Sequence, residues 1–141
     1  MKRLNLSDLS IGMLATSRRE VTKQTVRDFG NASGDFNPIH FDDESAREAG
    51  FKACIAHGML IASFVSEVIG MELPGPGSIA KSLALTFSRP VYVDSTVDIK
   101  VEITNITANH RLALVELTAT CSVEGKDVIR GTGSVNFPLD K

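Results

Sequence analysis

Apolar residues recur at every second position through most of the chain beyond residue 80, and at helical spacing before it. Leu83, Leu85 and Phe87 open the alternating half. Val97, Ile99, Val101 and Ile103 follow, interleaved with Asp98, Lys100, Glu102 and Thr104. Ala113, Val115, Leu117, Ala119, Cys121 and Val123 make a third series. Ile129, Val135 and Phe137 make a fourth, with Gly131 and Gly133 between them. Period two places each series on one face of a strand, as in an antiparallel sheet with one side on a core. Glu124-Gly125-Lys126-Asp127 reads as a hairpin turn between the last two series.

The first half is different. Met13 to Val21 reads as a strand, and Thr22 as the N-cap of a short helix presenting Val26 and Phe29. Gly30 to Phe41, with Gly, Asp, Asn and Pro, reads as an ordered loop. Asp42 or Asp43 caps a second short helix that stops at Gly50. From His57 to Gly70, Met59, Leu60, Ile61, Ala62, Phe64, Val65, Val68 and Ile69 cover nearly the whole circumference of a helix. A helix apolar all round is expected to be buried. A small chain can bury one such helix only by wrapping its sheet around it. The expected fold is therefore α+β, a hot-dog architecture, with residues 1–141 as one domain.

Composition removes several classes. The chain has 141 residues, 43% hydrophobic and 23% charged, with a net charge of −2. That is a soluble composition without the basic face a nucleic-acid partner requires, so none is expected. The N-terminus lacks the apolar run of a secretory signal, and no apolar stretch is long enough for a membrane span. A cytoplasmic location is expected, with Cys54 and Cys121 as buried thiols. Gly75-Pro76-Gly77 and Gly131-Thr132-Gly133 do not complete a dinucleotide fingerprint, so no cofactor is expected.

The chemistry concentrates in Ala32-Ser33-Gly34-Asp35-Phe36-Asn37-Pro38-Ile39-His40-Phe41-Asp42. Asp35 and His40 are complementary proton-transfer groups, Pro38 stiffens the link between them, and the aromatics can anchor it. Loop Asp and Asn also cap their own backbone, and a lone His is often only a hydrogen-bonding residue. A metal site from Asp35, His40 and Asp42 is less favoured, since Asp42 is explained as a cap. Gly58 offers a free backbone N–H at the start of the buried helix, suited to developing negative charge; it also simply eases the turn. Ser66 is a polar residue on that helix and needs a partner. Ile69 shares its face, lining a pocket or belonging to the core. Asn37 reads as a brace for the loop, His57 as a structural residue at the helix start, and His110 as solvated. No base at recognisable spacing supports Cys54 as a nucleophile.

Gly34-Asp35-Phe36-Asn37-Pro38-Ile39-His40-Phe41-Asp42 resembles the hydratase motif of the MaoC-like family, which includes the (R)-specific enoyl-CoA hydratases. His57-Gly58-Met59-Leu60, Leu73-Pro74-Gly75-Pro76-Gly77-Ser78 and Phe87-Ser88-Arg89-Pro90-Val91 are similar to later parts of the family pattern, in order. The resemblance implies syn addition of water to a trans-2-enoyl thioester, with Asp35 and His40 as the acid–base pair and Ser66 orienting them. It also implies a homodimer with no membrane partner. Lys81, Arg89, Lys100 and Arg111 are unranked candidates for CoA phosphates. Hydrolysis of an acyl-CoA, dehydration of an acyl-carrier-protein thioester and non-catalytic acyl binding are the alternatives.

Overall fold

The alternating half folds as read. In the computed structural model, which describes residues 3–140, five strands form one antiparallel sheet. They are β1 Leu14–Glu20, β2 Ile79–Phe87, β3 Thr96–Ala108, β4 Ala113–Val123 and β5 Lys126–Phe137, in the order β1-β3-β4-β5-β2. The helices are α1 Lys23–Ser33, α2 Asp43–Glu48 and α3 Gly58–Met71. This is the hot-dog fold.

The apolar series supply the core. Val97, Ile99, Val101 and Ile103 of β3, with Val115, Leu117 and Cys121 of β4, are buried against Ile61, Phe64, Val65 and Val68 of α3. Each such side chain contributes about 1.5–3 kcal/mol on burial. The β4–β5 turn narrows to two residues, Glu124 (φ 50°) and Gly125 (φ 76°). Two positive φ values match the right-handed twist of the flanking strands and set the register Val123 opposite Lys126.

Three expectations are corrected. First, α1 runs on to Ser33, so Gly30 is helical. Gly34, at φ 79°, ends the helix and its N–H bonds back to the Gly30 carbonyl. A 3₁₀ turn, Pro38–His40, then occupies part of the segment read as loop. Second, α3 is not buried on every side. Met59 is 63% exposed, and Ser63 and Ser66 are exposed on the same stripe. The curved sheet of one protomer covers only part of the helix circumference. Third, Leu83 (43%) and Phe87 (48%) of β2 are uncovered, as is Ile79 (67%). β2 pairs with β5 alone and forms a sheet edge. The bulge between Ala80 and Ser82 leaves Leu83 and Phe87 on one face and Ile79 on the other, and alternation does not specify what lies over either.

Candidate active site

The polar loop is held from three sides. Phe36 and Phe41 stack at 5.3 Å between centroids and close over Gly30 of α1. A Cβ there would lie 2.9 Å from Phe41 and 3.0 Å from Phe36, so glycine is what permits this approach. Asp42 caps α2 by accepting from the Ser45 N–H, and the Ser45 hydroxyl, chiefly, with that N–H holds its carboxyl below the ordinary range. Asp42 is thus engaged as a cap, as expected. The Ile55 N–H donates to the Ile39 carbonyl, tying the loop to the strand-like segment before α3.

This frame brings Asp35 and His40 together. The Asp35 carboxylate is exposed and accepts from the Asn37 N–H at 3.1 Å. The Asn37 side chain accepts in turn from the Ile39 N–H, so Asn37 braces the loop through both its backbone and its side chain. His40 is 9% exposed. Its Nδ1 donates to the Ile55 carbonyl at 2.7 Å, which leaves Nε2 as the free nitrogen. Burial, chiefly, holds the His40 imidazole below the ordinary histidine value, with nearby His57 acting the same way. The Ile55 bond and Asp35 oppose that shift.

His57 is the residue whose place here was not read from the sequence. An Asp35 oxygen and a ring nitrogen of each of His40 and His57 lie within 4.8 Å of one another. The two imidazoles stack, with centroids 3.9 Å apart and planes 32° apart. Planes so nearly parallel do not converge on an ion about 2 Å from both nitrogens, so the cluster is poorly shaped for a metal. The only sequence signal was His-Gly at a helix start. The stacking partner and the Ile55 carbonyl leave no trace in residue types.

Gly58 opens α3 immediately beside this cluster. The first N–H groups of a helix have no acceptor within it and carry the positive end of its dipole. Phe87 packs on Gly58: a Cβ there would stand 2.8 Å from its ring. Gly58 also borders an apolar cavity of about 360 Å³, lined by Phe51, Ile55, Ile61, Phe87 and Arg89. Ser66 stands elsewhere. It is exposed, eight residues along α3 from Gly58, or about 12 Å. Among the described residues, no side-chain bond joins Ser66 to Asp35 or His40 within the chain. Ile69, 8% exposed, belongs to the core. Cys54 is pushed up to about 11 by burial and by Asp43, which keeps it a thiol at neutral pH. His110 is exposed in the β3–β4 turn.

Asp35 and His40 thus stand together beside the N-terminus of α3 in a hot-dog fold, and the comparisons with known proteins give the class, a hydro-lyase. The MaoC like domain matches residues 11–126. A 3-hydroxybutyryl-CoA dehydratase of Methylorubrum extorquens is 36% identical over 96% of this chain and 85% of its own. An (R)-specific enoyl-CoA hydratase of Rhodospirillum rubrum is 37% identical over 93% and 90%. The solved structure of the (R)-hydratase from A. caviae superposes with a TM-score of 0.86 at 34% identity, covering 92% and 98%. The chain belongs to the MaoC-like family. The relatives just described are named as hydratases and dehydratases.

Proposed function

We propose that this protein is an (R)-specific enoyl-CoA hydratase, adding water reversibly to a trans-2-enoyl-CoA to give the (R)-3-hydroxyacyl-CoA. One observation carries the reading. Asp35 and the free Nε2 edge of His40 share a site at the start of α3, where Gly58 presents its N–H.

The chemistry follows from those groups. The thioester carbonyl withdraws electrons from the β-carbon. Asp35 and His40 hold a water, and the pair accepts its proton as the oxygen bonds to that carbon. The displaced electron pair moves onto the thioester oxygen, where the Gly58 N–H receives it. The pair then returns a proton to the α-carbon on the same face, so one water is added in sum. Positioned acid–base groups of this kind contribute about 10²–10⁴-fold. One backbone donor to the oxyanion is worth about 3–4 kcal/mol. The apolar cavity beside Gly58 suits an acyl chain, and of the four candidate cations Arg89 lines it.

The whole chain is taken as one hot-dog unit and half of a homodimer, acting in the cytoplasm. Two features favour β2 as the joining edge: it is free, and it exposes Ile79, Leu83 and Phe87. Among the described residues no helix is long and apolar enough to cross a membrane. The decisive assay follows the enoyl absorbance of crotonyl-CoA and longer enoyl-CoAs and determines the chirality of the product. Loss of absorbance without thiol release, giving the (R)-alcohol, is expected. Thiol release from saturated acyl-CoA without hydration identifies a thioesterase instead.

A further inference from the structure

Among the described residues, one buried side-chain polar atom lacks a hydrogen-bond partner: Nδ1 of His57. His57 is 2% exposed and takes the N-cap position of α3, yet its side chain makes no capping bond. A capping role is better served by a short polar side chain. The ring is used elsewhere. Its Nε2 donates to the backbone carbonyl of Asp35 at 2.9 Å. Its face lies on His40, and Phe29 and Phe41 enclose it at 4.9 and 5.7 Å. An unpaired buried nitrogen is unfavourable, and phenylalanine would fill this space without one. What phenylalanine lacks is the N–H that reaches Asp35.

We infer that His57 is a positioning residue, whose N–H fixes the backbone of Asp35 while its ring braces His40, so that one side chain sets the spacing of the pair. The inference rests on the acid–base reading of Asp35 and His40. The other ties are local ones, Asp35 to Ser33 and Asn37 and His40 to Asn37 and Ile55, and none of them joins the Asp35 backbone to the His40 ring as His57 does. A misplacement of about 1 Å can lower a rate about 10²-fold.

The test compares wild type, His57→Phe and His57→Gln on crotonyl-CoA. Phenylalanine keeps the stack and removes the donor. Glutamine returns an amide N–H near the place of Nε2. The expected result is a fall in kcat of about 100-fold for His57→Phe with KM within about threefold, and recovery of about tenfold or more in His57→Gln. An unchanged kcat, a change confined to KM, or glutamine no better than phenylalanine overturns the inference. Nitrogen-15 spectra of the wild-type protein give a readout free of activity and of variant folding. A His57 protonated at Nε2 and bare at Nδ1 supports it; the opposite tautomer overturns it. A wild type that hydrates no enoyl-CoA refutes the proposed reaction, and the tautomer still decides the Asp35 contact.

Discussion

At the scale of single residues, the proposed role of His40 makes both stability and activity depend on pH. Its folded value lies below the ordinary one, so the unfolded chain takes up its proton first as pH falls. Stability from the neutral, buried imidazole is therefore complete above the ordinary histidine value of about 6.5. It is lost as pH falls through the folded value. The charged and titratable groups around His40 are Asp35 and His57, then Lys23, Arg27, Asp42, Asp43, Cys54 and Asp94 along the cavity it lines. Melting temperature against pH is expected to drop more steeply below about 6.5 in wild type than in His40→Gln. The acid limb of kcat/KM is expected below that same value. Asp35→Asn and His40→Ala are each expected to lower kcat by about 10²–10⁴-fold. Because Asp35 is exposed, Asp35→Asn is expected to leave the melting temperature nearly unchanged.

At the scale of elements, the site depends on how closely α1 and the loop approach. Gly30→Ala sets two effects against each other. Alanine favours the helix by about 1 kcal/mol. Its Cβ meets Phe41 at 2.9 Å, Phe36 at 3.0 Å and the Asp35 carbonyl at 3.3 Å, and overpacking of this kind costs about 1–3 kcal/mol. The backbone contact cannot swing aside as a ring can, so overpacking wins. Gly30→Ala is expected to lower both the melting temperature and kcat, measured by calorimetry and the crotonyl-CoA assay. Gly58→Ala tests the other wall. Its Cβ meets the Phe87 ring, and Phe87→Leu in the same chain is expected to restore part of the lost kcat.

This is also the scale at which sequence and structure part. The strands and the caps Thr22 and Asp42 were legible because periodicity and capping are local. Asp35 and His40 were legible because a short stiffened loop holds both. Gly30 was misplaced, since a glycine there reads as a breaker until its aromatic neighbours are in place. The contact of His57 with Asp35 joins residues 22 positions apart through a backbone carbonyl. No pattern of side-chain types encodes that.

At the scale of the molecule, β2 is the edge left uncovered in the protomer. The other edge, β1, carries Arg18, Arg19 and Glu20, and its arginines pair with Asp98 and Glu67. Charged edges resist strand addition, whereas β2 carries a single charge, Lys81, among apolar and small residues. Ile79, Leu83, Phe87 and Met59 are each 43–67% exposed in the protomer. Full burial of such side chains yields at most about 1.5–3 kcal/mol each, and these begin part-covered. Association opposes this with roughly 4–15 kcal/mol. The apolar contacts of two protomers therefore exceed that cost by only a modest margin, even with added backbone bonds along the edge. A second charge, placed beside Lys81 at the centre of the edge, is enough to reverse the balance. Leu83→Lys is expected to convert the proposed homodimer into a monomer at micromolar concentration, as measured by light scattering after size exclusion. Leu83 is 43% exposed and faces no buried partner that a lysine would strand, so the protomer is expected to keep its fold and its circular dichroism. Phe87, which closes over Gly58, lies on the same edge four residues further on. The monomer is therefore expected to lose activity about tenfold or more, since Phe87 and the start of α3 would no longer be held from outside. A Leu83→Lys protein that stays dimeric would place the interface elsewhere than β2.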